Sequence, residues 1–140
     1  QTGTGGCRSQ PCRRTGKCPV NIILWILQAL LALHTAIGAG WKLFNSEQSV
    51  QTLNAIPHTG WMILIPLELI CAVGLVVPAL APSLGWLVPF AALGIAVEML
   101  AFSGLHLRAS AADYGPMYYW LGVAAVCAVI ALGRLFIAPH

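Results

Sequence analysis

The run Ile-Leu-Ile-Pro-Leu-Glu-Leu-Ile at 63–70 constrains this chain more than any other stretch. It lies in an apolar segment, about 60–80, long enough to cross a bilayer as a helix. The only carboxylate in that segment, Glu68, would then sit at membrane depth. An acid there is expensive, so it is expected to pair, hold a proton or serve a function. Other parts of the chain must therefore gather around Glu68 in a polar cluster shared by several helices.

Three further segments can supply those helices. The 140 residues are 59% hydrophobic and only 8% charged, whereas a soluble domain carries about a quarter charged residues. Long apolar stretches run over about 20–44, 85–107 and 117–137. Between them lie a polar loop at 45–58, a tight turn at Ala81-Pro82-Ser83-Leu84, and a loop at 108–116 containing Asp113 and Tyr114. The expected fold is all-α: an integral membrane four-helix bundle over 20–140, preceded by a basic, Cys-containing irregular tail over 1–19. The first span follows basic residues, as a signal peptide would, with Ala39 or Gly40 near a cleavage point. It is long for such a segment and continues into Trp41 and Phe44, which favours a span. Ala32, Ala36 and Gly40 recur every four residues, a row that admits a close neighbouring helix. Pro66 removes one helical hydrogen bond two residues before Glu68, so a local kink is expected to help aim the carboxylate.

Charge sets the expected orientation. With both termini inside, the inner face carries Arg8, Arg13, Arg14, Lys17 and Arg134, and the outer face carries Lys42 and Arg108; five against two favours N-in, C-in. Trp25 and Trp86 would mark the inner interface. Trp41, Trp61, Tyr118, Tyr119 and Trp120 would mark the outer one.

The buried polar groups can then be given depths. His34 stands about nine residues before the outer end of its span, Glu68 about nine after the outer start of the next, and Glu98 about nine before the outer end of the third. At 1.5 Å per residue all three lie about 13 Å below the outer boundary. Lys42 and His106 lie about one to two turns shallower. Two carboxylates alone in a low-dielectric layer repel, so a proton, His34 or Lys42 must compensate them. The ionisable groups avoid the inner half of the bundle, which points to a polar pocket opening outward or sideways from the outer leaflet. In a functional pocket Glu68 and Glu98 handle protons, and His34, Lys42 and His106 bind a ligand. In a structural one the same carboxylates clamp helices together.

Several chemistries have no support. The chain has no glycine-rich dinucleotide or phosphate loop, no G-x-S-x-G and no H-E-x-x-H. Cys7, Cys12 and Cys18 lack the second half of a zinc site, and no C-x-x-C is present, so no metal centre and no disulfide exchange are expected. Cys71 and Cys127 read as small packing residues. His34 and His106 are about two turns apart in depth, unsuited to joint haem ligation. The basic tail carries no nucleic-acid motif, and no nucleic-acid partner is expected.

The segment Leu24-Trp25-Ile26-Leu27-Gln28-Ala29-Leu30-Leu31-Ala32, then Gly38-Ala39-Gly40-Trp41-Lys42-Leu43, resembles the first helix of the DoxX-like family. The stretch Leu67-Glu68-Leu69-Ile70-Cys71-Ala72-Val73-Gly74-Leu75-Val76-Val77-Pro78 is similar to its second helix. Pro89-Phe90-Ala91-Ala92-Leu93-Gly94, with Glu98 and His106-Leu107-Arg108, resembles its third. The likeness covers about 24–132. It implies a four-helix protein of the bacterial inner membrane. The wider family includes a subunit of a thiosulfate:quinone oxidoreductase and proteins tied to redox or thiol stress. Lys42, Glu68 and His106 match the family's usual polar positions; His34 and Glu98 match less closely.

Together these readings lead to a small membrane subunit or accessory of a quinone-linked redox system. It would hold a quinone- or lipid-sized ligand in the outer half of the bundle. Its partners would be the lipid bilayer and other membrane subunits, or further copies of itself. The alternatives are a purely structural subunit of a larger membrane complex and a small proton-coupled transporter.

Overall fold

The structure is a computed structural model that describes residues 19–137. The expected irregular tail, with its three cysteines, lies outside the described residues. Four long helices, α1 (Pro19–Phe44), α2 (His58–Val76), α3 (Leu87–Arg108) and α4 (Gly115–Leu132), account for most of the chain. Single 3-10 turns occupy Glu47–Ser49 and Gln51–Leu53 between α1 and α2, and Pro82–Leu84 before α3. Another, Val77–Ala79, extends α2, and a π-turn, Gly133–Ile137, extends α4. With these extensions, all four helices are long and apolar enough to span a membrane.

The lipid-facing surface explains the composition. Ile22, Ile37, Ile70, Phe90 and Val97 all stand exposed on the outside of the bundle. Helices that are apolar on every side belong in a medium as apolar as their own core. The interior is packed from Leu31, Trp61, Leu75, Val88, Ala92, Ile95, Met99, Phe102, Cys127 and Ile130. Cys71 and Cys127 are both buried free thiols, in line with the packing role expected of them.

The helices associate as two hairpins. α1 packs along α2 and α3 along α4, and the hairpins join mainly through α2 and α3. The α2–α3 contact is close because it is built from small residues. A Cβ placed on Gly74 would lie 3.2 Å from the Ala91 Cβ, and one on Gly94 would lie 3.2 Å from the Cys71 Sγ. On the opposite side, α1 and α4 meet along a much looser seam. Pro66 lies inside α2, which runs without a break through it and places Glu68 in the core.

Candidate functional site

Three helices converge on one cation. Lys42, near the end of α1, is 7% exposed, and its Nζ donates to Glu68 Oε1 of α2 at 2.5 Å and to Glu98 Oε1 of α3 at 2.9 Å. The ammonium also lies 5.1 Å from the centre of the Phe102 ring and 5.7 Å from that of Trp61. These rings exclude water from it and favour its charge. Gly38 faces the arrangement: a Cβ there would make ordinary contact with Glu68 Oε1, at 3.7 Å.

Lys42 was expected about one to two turns above the carboxylates, and its side chain closes that gap by turning inward. A lysine near a helix end usually snorkels outward to water. Here two carboxylates on neighbouring helices meet below it, and pairing outweighs solvation. His34 was expected beside the carboxylates, but it lies one helical turn deeper than Gly38, the α1 residue that faces Glu68. It turns instead to α4, where its Nε2 lies 2.7 Å from the Tyr119 hydroxyl.

His106 is buried but belongs to a different contact. Its Nε2 lies 2.7 Å from the Asp113 carbonyl, which can only accept, so Nε2 is the donor and Nδ1 faces the Thr52 hydroxyl at 3.1 Å. His106 thus ties both polar loops to α3 rather than facing the triad. Trp61 and Trp120 also depart from their expected place at the interface. Trp61 is 1% exposed and donates to the Asn45 carbonyl at 3.0 Å, and Trp120 packs edge-on against Phe102 and His106. Consecutive residues on a helix point about 100° apart, so of Tyr118, Tyr119 and Trp120 only some can face the headgroups.

The expectation that ionisable groups avoid the inner half fails at Arg134. This residue is 4% exposed at the end of the bundle opposite Lys42. Its Nε donates to Gln28 Oε1 at 2.5 Å, its Nη1 donates to Asn21 Oδ1 at 2.6 Å, and its guanidinium stacks 4.9 Å from the Trp25 ring. Gln28 also donates to the Leu75 carbonyl. The available signal was topological, since Asn21, Gln28 and Arg134 fall at one end of an up-down bundle.

Beside the triad lies a cavity of about 370 Å³. Its wall includes Thr35, Gly38, Lys42, Glu68, Met99 and Phe102, and the loop residues Val50 and Leu53 cover it. Ile37 and Trp41 of α1 and Tyr119 of α4 line it as well and are exposed outside, so its mouth faces the α1–α4 seam. Two wall residues carry a buried oxygen with no hydrogen-bond partner among the described residues, Glu68 Oε2 and Thr35 Oγ1. Unpaired buried polar atoms cost about 1–3 kcal/mol each and call for an explanation. No cluster of three or more metal-ligating side chains occurs among the described residues.

Charge counting shows what the site can do. With all three groups ionised the triad carries −1 in a low-dielectric interior; one proton makes it neutral. It is therefore able to take up or release a single proton beside an apolar cavity. Compared with known proteins, residues 26–133 match the DoxX-like family. No curated protein and no solved structure matches the chain.

Proposed function

The chain belongs to the DoxX-like family, and on that premise we propose that it is a small membrane subunit or accessory of a quinone-linked redox system. Its seat would be the bacterial cytoplasmic membrane, with both termini inside and the triad in the outer half. The observation that carries this reading is the cavity wall, where Glu68 Oε2 and Thr35 Oγ1 lie buried and unpaired beside a largely apolar space of about 370 Å³. That volume lies within the range of small-molecule pockets. A quinone ring suits it, being flat, neutral and edged with two carbonyl acceptors. Thr35 would donate to one carbonyl. Glu68, carrying the triad's proton, would donate to the same edge. Reduction of a quinone by two electrons takes up two protons; the triad would supply one of them and water the other, with the electrons coming from a partner subunit.

The test is binding of a benzoquinone to the protein in nanodiscs, read by quenching of tryptophan fluorescence from Trp61 and Trp120. Thr35→Val and Glu68→Gln should each weaken binding about ten-fold, the loss of one hydrogen bond to the ligand. Binding unchanged in both variants would falsify the proposal.

One observation favours a second reading, a purely structural subunit. Lys42 joins α1, α2 and α3 through two short ion pairs, as a helix clamp would. On that reading no quinone binds, and the protein co-purifies in mild detergent with defined partners that Lys42→Met releases.

A further inference from the structure

The loose seam between α1 and α4 forms a second concavity. It measures about 520 Å³, and its walls are Leu27, Leu30 and Leu31 on one side and Gly122, Val123 and Val126 on the other. Apart from aromatic rings at its upper end, that lining is aliphatic. The groove and the inner cavity share two residues, His34 and Tyr119. These are hydrogen-bonded to each other across the seam, with ring centres 5.5 Å apart. A single side-chain contact thus partitions two adjoining spaces, one holding the polar wall and the other facing the hydrocarbon.

The groove has a direction. On α1 it runs from His34 back to Leu27, and on the antiparallel α4 from Tyr119 on to Val126, about 10 Å along the bundle axis. It therefore descends from the cavity mouth across the middle of the bilayer, the course of a lipid chain. Gly122 widens it, since a Cβ there would meet nothing within 4 Å.

We propose that this groove holds the hydrocarbon chain of the same ligand whose polar head occupies the cavity, and that the His34–Tyr119 contact is the latch the ligand parts as it slides in from the bilayer. The statement rests on the reading of the cavity given above and narrows it. The ligand is a single-chain amphiphile with a compact, uncharged, hydrogen-bonding head. An anionic head is disfavoured because the ammonium at the cavity wall, Lys42, is already held by two carboxylates. A single chain suits the groove, whose facing walls are one helix's Leu27, Leu30 and Leu31 and the other's Gly122, Val123 and Val126.

The test uses dimethoxy-methyl-benzoquinone without a side chain, and the same ring carrying a decyl chain that ends in a photoactivatable diazirine. Both are added to the protein in nanodiscs, and adducts are mapped by mass spectrometry. The chain-bearing probe should label the peptides around Leu27–Leu31 and Gly122–Val126. An excess of the chainless ring should remove most of that label, and Gly122→Trp should abolish it while leaving binding of the chainless ring unchanged. Label spread over the outward faces of α2 and α3, at Ile70 and Val97, means the chain lies in bulk lipid, and the groove assignment is overturned. Label in the groove that the chainless ring does not displace overturns it too, because an ordinary acyl chain then fills the space. Because Gly122→Trp could disturb packing, Val126→Phe serves as a second block, and equal loss of both probes in the two variants also counts against the groove. If the chainless ring fails to bind the unaltered protein, the cavity reading itself falls; if it binds while the label is scattered, only the groove falls.

Discussion

Removing the Lys42 ammonium would leave Glu68 and Glu98 facing each other with no cation between them. Breaking a buried ion pair by deleting one partner costs about 3–5 kcal/mol, so Lys42→Met should lower stability by that order in a chemical or thermal unfolding measurement. Adding Glu68→Gln and Glu98→Gln to it should recover most of the loss, because the uncompensated charge is gone. Thr35 gives the opposite test. Its hydroxyl has no partner among the described residues, so Thr35→Val should leave thermal stability unchanged or raise it by up to about 1 kcal/mol, even as it weakens ligand binding. At this scale the sequence was partly legible. A carboxylate inside an apolar run marks itself, and so did Glu68 and Glu98. Lys42 was assigned a shallow position by counting residues along its span, with pairing to the carboxylates left open between it and His34, and Trp61 was assigned one because its type favours interfaces. Neither residue reveals by itself that a neighbouring helix will offer its side chain a better partner inside.

Helix contacts carry the next set of expectations. α2 and α3 approach where Gly94 faces Cys71 and Gly74 faces Ala91. Gly94→Ala would press a methyl on the Cys71 sulfur and should cost about 1–3 kcal/mol, as overpacking does. Combining it with Cys71→Ala should restore most of that loss, a coupling that a double-mutant cycle on thermal unfolding would read. The α1–α2 connection has a pH dependence of its own. The Glu47 carboxyl is held below its usual range first by its own backbone N–H and then by His58, whose Nδ1 lies 3.1 Å away. A depressed carboxylate stabilises above its unfolded pKa and loses that contribution as pH falls through the folded one. Amide protection factors at 46–53, with the intrinsic pH dependence of exchange divided out, should therefore hold from neutral pH down to about pH 4 and fall below it. The existence of the four helices was legible, since length and unbroken apolarity suffice. Which way Tyr119 or Trp120 faces was not, because helices apolar on all sides carry no moment to orient them.

At the scale of the molecule, an even number of spans puts both ends of the bundle on one side, and the proposed orientation puts that side inside. An impermeant maleimide added to intact cells should then leave Cys7, Cys12 and Cys18 unmodified and label them after lysis; labelling before lysis inverts the orientation. Cys71 and Cys127, buried in the bundle, should stay unmodified in both. The sequence by itself determined that this is a four-helix membrane protein, that its family likeness covers about 24–132, and that the apolar spans carry two embedded acids, Glu68 and Glu98. Those conclusions depend on length, apolarity and spacing along single helices, which are local properties. The tertiary structure decided the rest. It chose Lys42 rather than His34 as the partner of Glu68 and Glu98, gave His34 to Tyr119, withdrew His106 to the loops, and assembled Arg134, Gln28 and Asn21 into a second buried polar group. It also left α1 and α4 parted along the seam where the cavity opens. Each of these outcomes depends on how helices are rotated about their axes. In a medium as apolar as the core, that rotation is set by the few polar side chains and small-residue contacts that lock one helix to another.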